Sequence, residues 1–450
     1  IRGLIQSGIV ARASRLPSSR SLARDLGMAR TVVEQGYEQL QAEGWVSAQG
    51  GSGTFVADVA SLDARRRRTR APSLSHPHPE RSAIRLDTGT PWADVAHSKG
   101  WRRAWREVGT SRGPSGYPDP AGDVQLREAV AAHVGRHRGL SCRRDDVMIT
   151  SGSTHALALV LEALRAGAIA VEDPGYRAAV AVCSHVGRPV IDIPVDDEGL
   201  VVDALEVADS SRLRAVYVTP AHQHPLGMTM SPQRRHSLLA EASRRDLLII
   251  EDDYDSEFRY DVAPLPALGQ WGLDRVAYLG TASKLISPGL RIGWLVADSA
   301  LIEEISARRL ARHDHPNWPV QRALLSMFVE GHVDKVVRTA RRVYAERCRL
   351  VADRLGGFGV LSGGVAGMYL TLELPGTAAE QVVADAADRG FEIPSLADYC
   401  RTARRSGLVI GFGGVTDAEF AQALAVVAGS LTRATRRDPA EAGTTPADRR

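Results

Sequence analysis

Lysine is almost missing from this chain. Of 56 basic residues only Lys99, Lys284 and Lys335 are lysine, and the rest are arginine. Arginine keeps its charge, whereas a lysine can give its proton up and attack a carbonyl, so such chemistry has only three places to occur. Cysteine is scarce too. Cys142, Cys183, Cys348 and Cys400 stand far apart. They match neither a disulfide framework nor a zinc spacing, which makes a reducing cytoplasm the expected compartment. No apolar run approaches the ~20 residues that span a bilayer, so no membrane partner is expected. The opening IRGLIQSGIV has no signal-peptide layout and no starting Met, as expected of a truncated or processed chain. What is present is 450 residues, 44% hydrophobic and 24% charged. That suits a soluble globular protein of two or more domains.

Residues 1–57 read as short helices followed by a hairpin. IRGLIQSG is a helical fragment that Gly8 can stop. In PSSRSLARDLG, Ser18 can cap, Leu22 and Leu26 share a face, and Gly27 terminates. Val33, Tyr37 and Leu40 then recur at helical spacing, and Gly44 ends that helix. WVSAQGGSGTFVAD is two β-rich segments about a glycine turn. The pattern is a winged helix-turn-helix. Residues 58–82, with four consecutive arginines and several prolines, read as a basic flexible linker, either merely solvated or gripping phosphates. Residues 1–82 hold twelve arginines against seven carboxylates, a net +5 in a chain of net +3. From 83 to 432, runs such as LRAVYVTP, LLIIEDDY and VAYLGTAS alternate with helical stretches, which predicts an α/β sheet covered on both faces. GGVAGMYLTLELPG and GLVIGFGGV predict strands of a smaller α+β subdomain, and 433–450 a disordered tail.

Lys284 follows the apolar run VAYLG and so emerges at a strand end, where open α/β sheets bind ligands. Thr281, Ser283 and Arg291 beside it suit a phosphate. LLIIEDDYD ends a buried strand in Glu251, Asp252 and Asp253, which is costly unless a carboxylate there meets a cation such as a protonated pyridine. Tyr254 can donate to a ring oxygen. VMITSGSTHALALVLEAL is strand, turn, helix, so Gly152, Ser153 and Thr154 present amides at a helix N-terminus. Tyr176, in AVEDPGYRAAV, can stack on a ring. Singly, each has an ordinary explanation: a cap, a polar loop, a core tyrosine. Together they furnish an imine-forming amine, a pyridine counter-charge, an anion cradle and a ring cover.

With these motifs in view, residues 83–432 resemble fold-type I aminotransferases, which use pyridoxal 5′-phosphate (PLP). Residues 1–57, with LPSSRSLARDLGMARTVVEQGYEQLQAEGWVSAQGGSGTFV, resemble the GntR winged-helix family. IEDDYDSEFRY, GTASKLISPGLRIG and TPAHQHPLGMTMSPQRR resemble the MocR-type subfamily of GntR transcription regulators. The resemblance implies an α/β, PLP-dependent transferase body carrying a DNA-binding head, in a homodimer. It implies that Lys284 is the Schiff-base lysine, Asp252 the partner of the pyridine nitrogen, and Tyr254 the donor to the ring oxygen. Arg291, Thr281, Ser283, Ser153 and Thr154 then match phosphate contacts, and Tyr176 the stacking aromatic. Tyr117, in GYPDPAG, matches a tyrosine that reaches the neighbouring subunit's phosphate.

The sequence departs from aminotransferases in two places. HQHPLG puts His224 and Leu226 where an Asn-Pro-Thr-Gly-like turn stands, and GLVIGFGG puts Val409 at the arginine that grips a substrate carboxylate. Arg401, Arg404 and Arg405, in RTARRSG, are the substitutes within reach, a polar loop being the plainer reading. The expected function is therefore a PLP-binding, effector-responsive regulator of transcription. Its small-molecule effector is either PLP itself or an amine or amino acid forming an external aldimine. The alternatives are a working aminotransferase with a DNA-binding domain attached, and a dimerisation scaffold. On double-stranded operator DNA, the helix from Ala29 would enter the major groove with Arg30 and Thr31 at base edges. Arg20 would meet a phosphate, and the wing tip Gly51 to Gly53 would approach the minor groove.

Overall fold

The computed structural model describes residues 1–6, 9–49, 53–57, 83–92, 98–207, 213–364 and 366–437. The chain divides into two compact units, Ile1–Pro79 and Glu80–Arg450. The expected linker over 58–82, together with Gly8 and Gly51, lies outside the described residues.

In the first unit the helices Arg2–Gln6, Ser19–Leu26 and Arg30–Ala42 precede an antiparallel hairpin of Val46–Gln49 and Gly53–Val56. Ser18 Oγ accepts from the Ser21 amide, and Gly27 closes the second helix in the left-handed region at φ 63°. Ala23 is buried in that helix, while Leu26, its last residue, stays exposed. Val33, Tyr37 and Leu40 are buried along one stripe of the third helix, as their spacing predicts. They pack with Ile5, Leu16, Ala23, Val46 and Val56 into one small core.

The second unit is built on an eight-stranded sheet. Its spatial order is Val147–Thr150, Gly293–Val296, Val276–Thr281, Leu248–Asp253, Leu213–Val218, Ala168–Asp173, Val190–Asp196 and Gly199–Leu200. The five strands from Val276–Thr281 to Val190–Asp196 run parallel. Gly293–Val296 is antiparallel to both its neighbours. Most central positions are buried on both faces, as near-continuous apolar runs demand. Because these strands are parallel, their carboxyl ends gather along one edge, and the residues that follow them share one rim. A smaller antiparallel sheet joins Val360–Ser362, Tyr369–Glu373 and Gly407–Gly411, so both predicted subdomain strands form.

The tail boundary is corrected. The helix Asp417–Arg437 continues past 432, because Leu431 is buried and Ser430 and Arg433 both donate to the Asp385 carboxylate. Residues 438–450 lie outside the described residues. Among the described residues no helix is long and apolar enough to cross a membrane.

Candidate functional site

The rim holds a cavity of about 150 Å³. Ten of the residues singled out in the sequence line it: Ser153, Thr154, Tyr176, His224, Asp252, Tyr254, Thr281, Ser283, Lys284 and Arg291. Thr88, Gly89, Thr219 and Pro288 complete the wall.

Lys284 stands in a one-turn helix, Ala282–Leu285, directly after its strand. The Thr281 hydroxyl caps that turn by accepting from the Ser283 amide at 3.1 Å. Lys284 Nζ donates to the Gly89 carbonyl at 2.5 Å. Burial lowers its pKa, opposed by the carboxylates of Asp87, Asp255 and Asp252. An amine held this way loses its proton more readily than one in water.

Asp252 is the penultimate residue of the central strand Leu248–Asp253. The Tyr217 hydroxyl donates to its Oδ2 at 2.5 Å, yet among the described residues Oδ1 is buried with no hydrogen-bond partner. Burial pushes its pKa up to about 7, against the Tyr217 bond and the Lys284 charge, which lower it. Among the described residues, Asp252 thus has no cation in direct contact.

Arg291, which lines the cavity, lies against Gly152. Arg291 takes a left-handed backbone, φ 47°, after the turn Pro288–Leu290. Gly152 precedes the helix Ser153–Ala163 with φ 102°, and a Cβ there would stand 3.4 Å from Arg291 Nη2. Only glycine adopts that φ without strain, and its missing side chain lets the guanidinium approach the helix N-terminus.

His224 is buried against Tyr176, Tyr254, Tyr369 and Tyr399. Its Nε2 lies 3.2 Å from Thr88 Oγ1, while Nδ1 has no partner among the described residues. Burial, with His222 and Lys284 nearby, drives its pKa down to about 3, so the ring is neutral. Tyr254 donates its hydroxyl to the His222 carbonyl at 2.8 Å and also meets the Tyr369 hydroxyl at 2.7 Å. The expected donor to a ring oxygen therefore already has protein partners. His222 beside it is held by Asp255 at 2.8 Å.

The carboxylate-gripping position is apolar. Val409 and Leu226 are fully buried in one cluster with Tyr369 and Leu396. Neither arginine offered as a substitute with a charge partner turns inward. Arg401 pairs with Asp192 at 3.1 Å, and Arg405 makes a two-pronged pair with Glu373 at 2.7 and 2.9 Å. Arg404 is exposed. The loop is fixed there because Asp173 accepts from the amides of Arg401, Thr402 and Ala403.

Tyr117 is not brought to the cavity of its own chain. It is 80% exposed and stacks on His315, with ring centroids 5.2 Å apart. In the first unit Arg20, Arg30 and Thr31 are all exposed. Arg30 pairs with Glu34 one turn on, at 2.8 Å. Gly53 lies against the Arg15 side chain, where a Cβ would come within 2.8 Å of Nε.

Several cavity residues were not legible beforehand. Thr88 and Gly89 belong to LDTGTPW, a stretch without periodicity. Its one signal was Asp87, whose Oδ1 accepts from the amides of Gly89 and Thr90 and so shapes the turn. Tyr217 and Thr219 were hidden in the apolar run LRAVYVTP.

Comparison with known proteins agrees with this geometry. Residues 81–426 match the family "Aminotransferase class I and II", and residues 1–56 match "Bacterial regulatory proteins, gntR family". The pyridoxine biosynthesis transcriptional regulator PdxR of Corynebacterium glutamicum is 34% identical over 92% of this chain and 90% of its own length. The probable rhizopine catabolism regulatory protein MocR of Rhizobium meliloti is 30% identical over 92% and 89%. The chain belongs to the MocR-type subfamily of GntR transcription regulators. Like other MocR-type proteins it joins a GntR helix-turn-helix domain to an aminotransferase-like body. That body superposes on the kynurenine aminotransferase of Pyrococcus horikoshii with a TM-score of 0.71, at 26% identity, over 79% of this chain and 92% of that one.

Proposed function

We propose that this MocR-type regulator holds PLP at Lys284 and answers to a small effector at the same cavity. One observation carries the reading: a fully buried aspartate, with Oδ1 unpartnered, lines the cavity into which the lysine amine projects. A ring N–H carrying positive charge fits that vacancy, since an unmatched buried carboxylate is costly and an adjacent cation relieves it.

When bound, PLP supplies an aldehyde for a primary amine and a pyridine ring that draws electrons when protonated. The chain does the rest. Lys284 offers an amine with a lowered pKa. Asp252 accepts the ring N–H through Oδ1 while Tyr217 fixes its other oxygen. Arg291, Ser153, Thr154, Thr281 and Ser283, with the amides after Gly152, hold the phosphate. Tyr176, Tyr254 and neutral His224, which line the cavity, would lie beside the ring. Tyr117, exposed on its own chain, is suited to complete the phosphate site of the second copy in a homodimer.

With apolar, fully buried Val409 and Leu226 at the positions noted above, an α-carboxylate finds no paired cation there. An effector without that group, or PLP itself, fits better than an ordinary amino acid. The name of the Corynebacterium relative, a pyridoxine biosynthesis regulator, supports PLP as the signal. The same apolar substitutions argue against efficient transamination. On DNA, Arg30 would exchange its exposed partner Glu34 for a guanine edge, because a surface ion pair is worth only ~0.3–0.5 kcal/mol. The effector must bind two arrangements of the dimer unequally to move the DNA heads.

The test uses the full chain stripped of cofactor. PLP is titrated while absorbance and binding to DNA upstream of its own gene are followed. Amines and amino acids are then added, with and without 2-oxoglutarate. Expected are one PLP per chain, a change in DNA affinity, and no multiple turnover. Robust turnover would replace this reading with the aminotransferase. A chain that takes up no PLP would leave only a scaffold.

A further inference from the structure

A second cluster of ligating side chains lies away from the PLP cavity. His133 and His137 are four residues apart on the helix Val124–Arg138, so they share a face, and their rings lie 4.6 Å apart. Asp334, in the first turn of the helix His332–Leu355, faces them. One donor atom from each of the three lies within 4.8 Å of the other two.

His133 is what separates this cluster from an ordinary polar contact. It is fully buried, and its Nε2 meets Glu257 Oε1 at 2.7 Å. A carboxylate accepts, so the proton sits on Nε2. His133 Nδ1 has no hydrogen-bond partner among the described residues. That tautomer leaves a lone pair at Nδ1. A carboxylate holding the far N–H of a ligating histidine is the usual outer shell of a metal site. Trp294 and Phe328 pack on the ring and fix its plane.

We propose that His133, His137 and Asp334 bind one divalent transition-metal ion of the zinc type, with Glu257 as a positioning residue for His133. Zinc takes imidazole and carboxylate at about 2.0–2.2 Å, which places neighbouring ligands of a tetrahedral site about 3.4 Å apart. His137 Nε2 and Asp334 Oδ1 are already 3.5 Å apart. That is long for a hydrogen bond but right for two ligands of one ion. The His137 and Asp334 side chains are 30% and 42% exposed, so an ion has a path in and water can fill the remaining position. Two histidines and a carboxylate favour zinc, cobalt or nickel over magnesium or calcium, which prefer all-oxygen sites. The ion would staple the two helices, and through Glu257 the turn Ser256–Phe258 that follows the Asp252 strand.

The test is calorimetric titration of the full chain, without a histidine tag and treated with chelator, using zinc chloride. Expected is one zinc per chain, with a rise in melting temperature. His137→Ala and Asp334→Asn change partly exposed side chains and should fold, as circular dichroism can verify. Each should lower affinity at least about 100-fold, while Glu257→Gln should lower it by about 10–100-fold, as outer-shell changes do. Cobalt in place of zinc should give visible ligand-field bands in wild type that both ligand variants lose. No stoichiometric binding by wild type would overturn the proposal. So would binding that the two ligand variants leave unchanged, since the ion would then sit elsewhere.

Discussion

The two faces of one strand handle buried carboxylates in opposite ways. Glu251 and Asp253 alternate with Asp252 along Leu248–Asp253, so they point to the other side of the sheet. There Arg138 lies between them, 2.6 Å from Asp253 Oδ2 and 3.4 Å from Glu251 Oε1. The Tyr278 hydroxyl and the Leu268 amide supply further bonds, at 2.6 and 2.8 Å. That side is a closed ionic network within the protein. On the opposite face Asp252 is equally buried but has one hydroxyl and an unpartnered oxygen. The difference teaches what a buried charge means. On one face the protein supplies the cation itself, and on the other, under the proposed function, a bound ring would supply it.

The sharpest way to break the comparison is to remove the cation from the closed side. Arg138→Met should leave Glu251 and Asp253 unmatched and lower stability by ~3–5 kcal/mol, measured by urea unfolding of the cofactor-free chain. Asp252→Asn should do the reverse. The folded pKa of Asp252 is about 7, above its ordinary carboxylate value near 4. Between those values the folded state holds a proton that the unfolded state has released, so wild type loses stability as pH rises through that window. The loss is absent below pH ~4, reaches ~4 kcal/mol near pH 7, and is constant above. The cofactor-free variant should therefore be the more stable protein at pH 8, with the gap closing towards pH 4 in parallel denaturant titrations. With PLP present the order should invert in affinity, because an amide cannot neutralise a ring N–H. Next in size is Arg30→Ala, expected to weaken operator binding by ~1–3 kcal/mol in fluorescence anisotropy. Arg20→Ala should mainly flatten the salt dependence. Smallest is Glu34→Gln, which breaks an exposed pair and should shift stability by under ~0.5 kcal/mol in thermal melts.

The parallel sheet was legible because buried strands write themselves as apolar runs, and the rim was legible because polar residues follow those runs directly. Lys284, Asp252 and Thr154 could be placed on one edge from sequence alone for that reason. The turn at Asp87–Gly89 could not. It meets Lys284 across 195 positions, and nothing local to either segment encodes the pairing. Tyr217 reads as one more apolar strand residue, since its hydroxyl matters only once Asp252 lies 2.5 Å away on the neighbouring strand. The departures at Leu226 and Val409 are visible as letters, but that they bury together in one apolar cluster depends on packing between segments far apart in sequence. The final helix runs to Arg437, past the expected boundary at 432, because Arg433 is anchored by Asp385.

The central assignment is covalent, and the scarcity of lysine makes it easy to test. The full chain is loaded with PLP, reduced with borohydride, digested and mapped by mass. Expected is cofactor mass on the peptide containing Lys284 and on no other, although Lys99 and Lys335 are the more exposed amines. Label on either of those two, or on none of the three, would contradict the assignment.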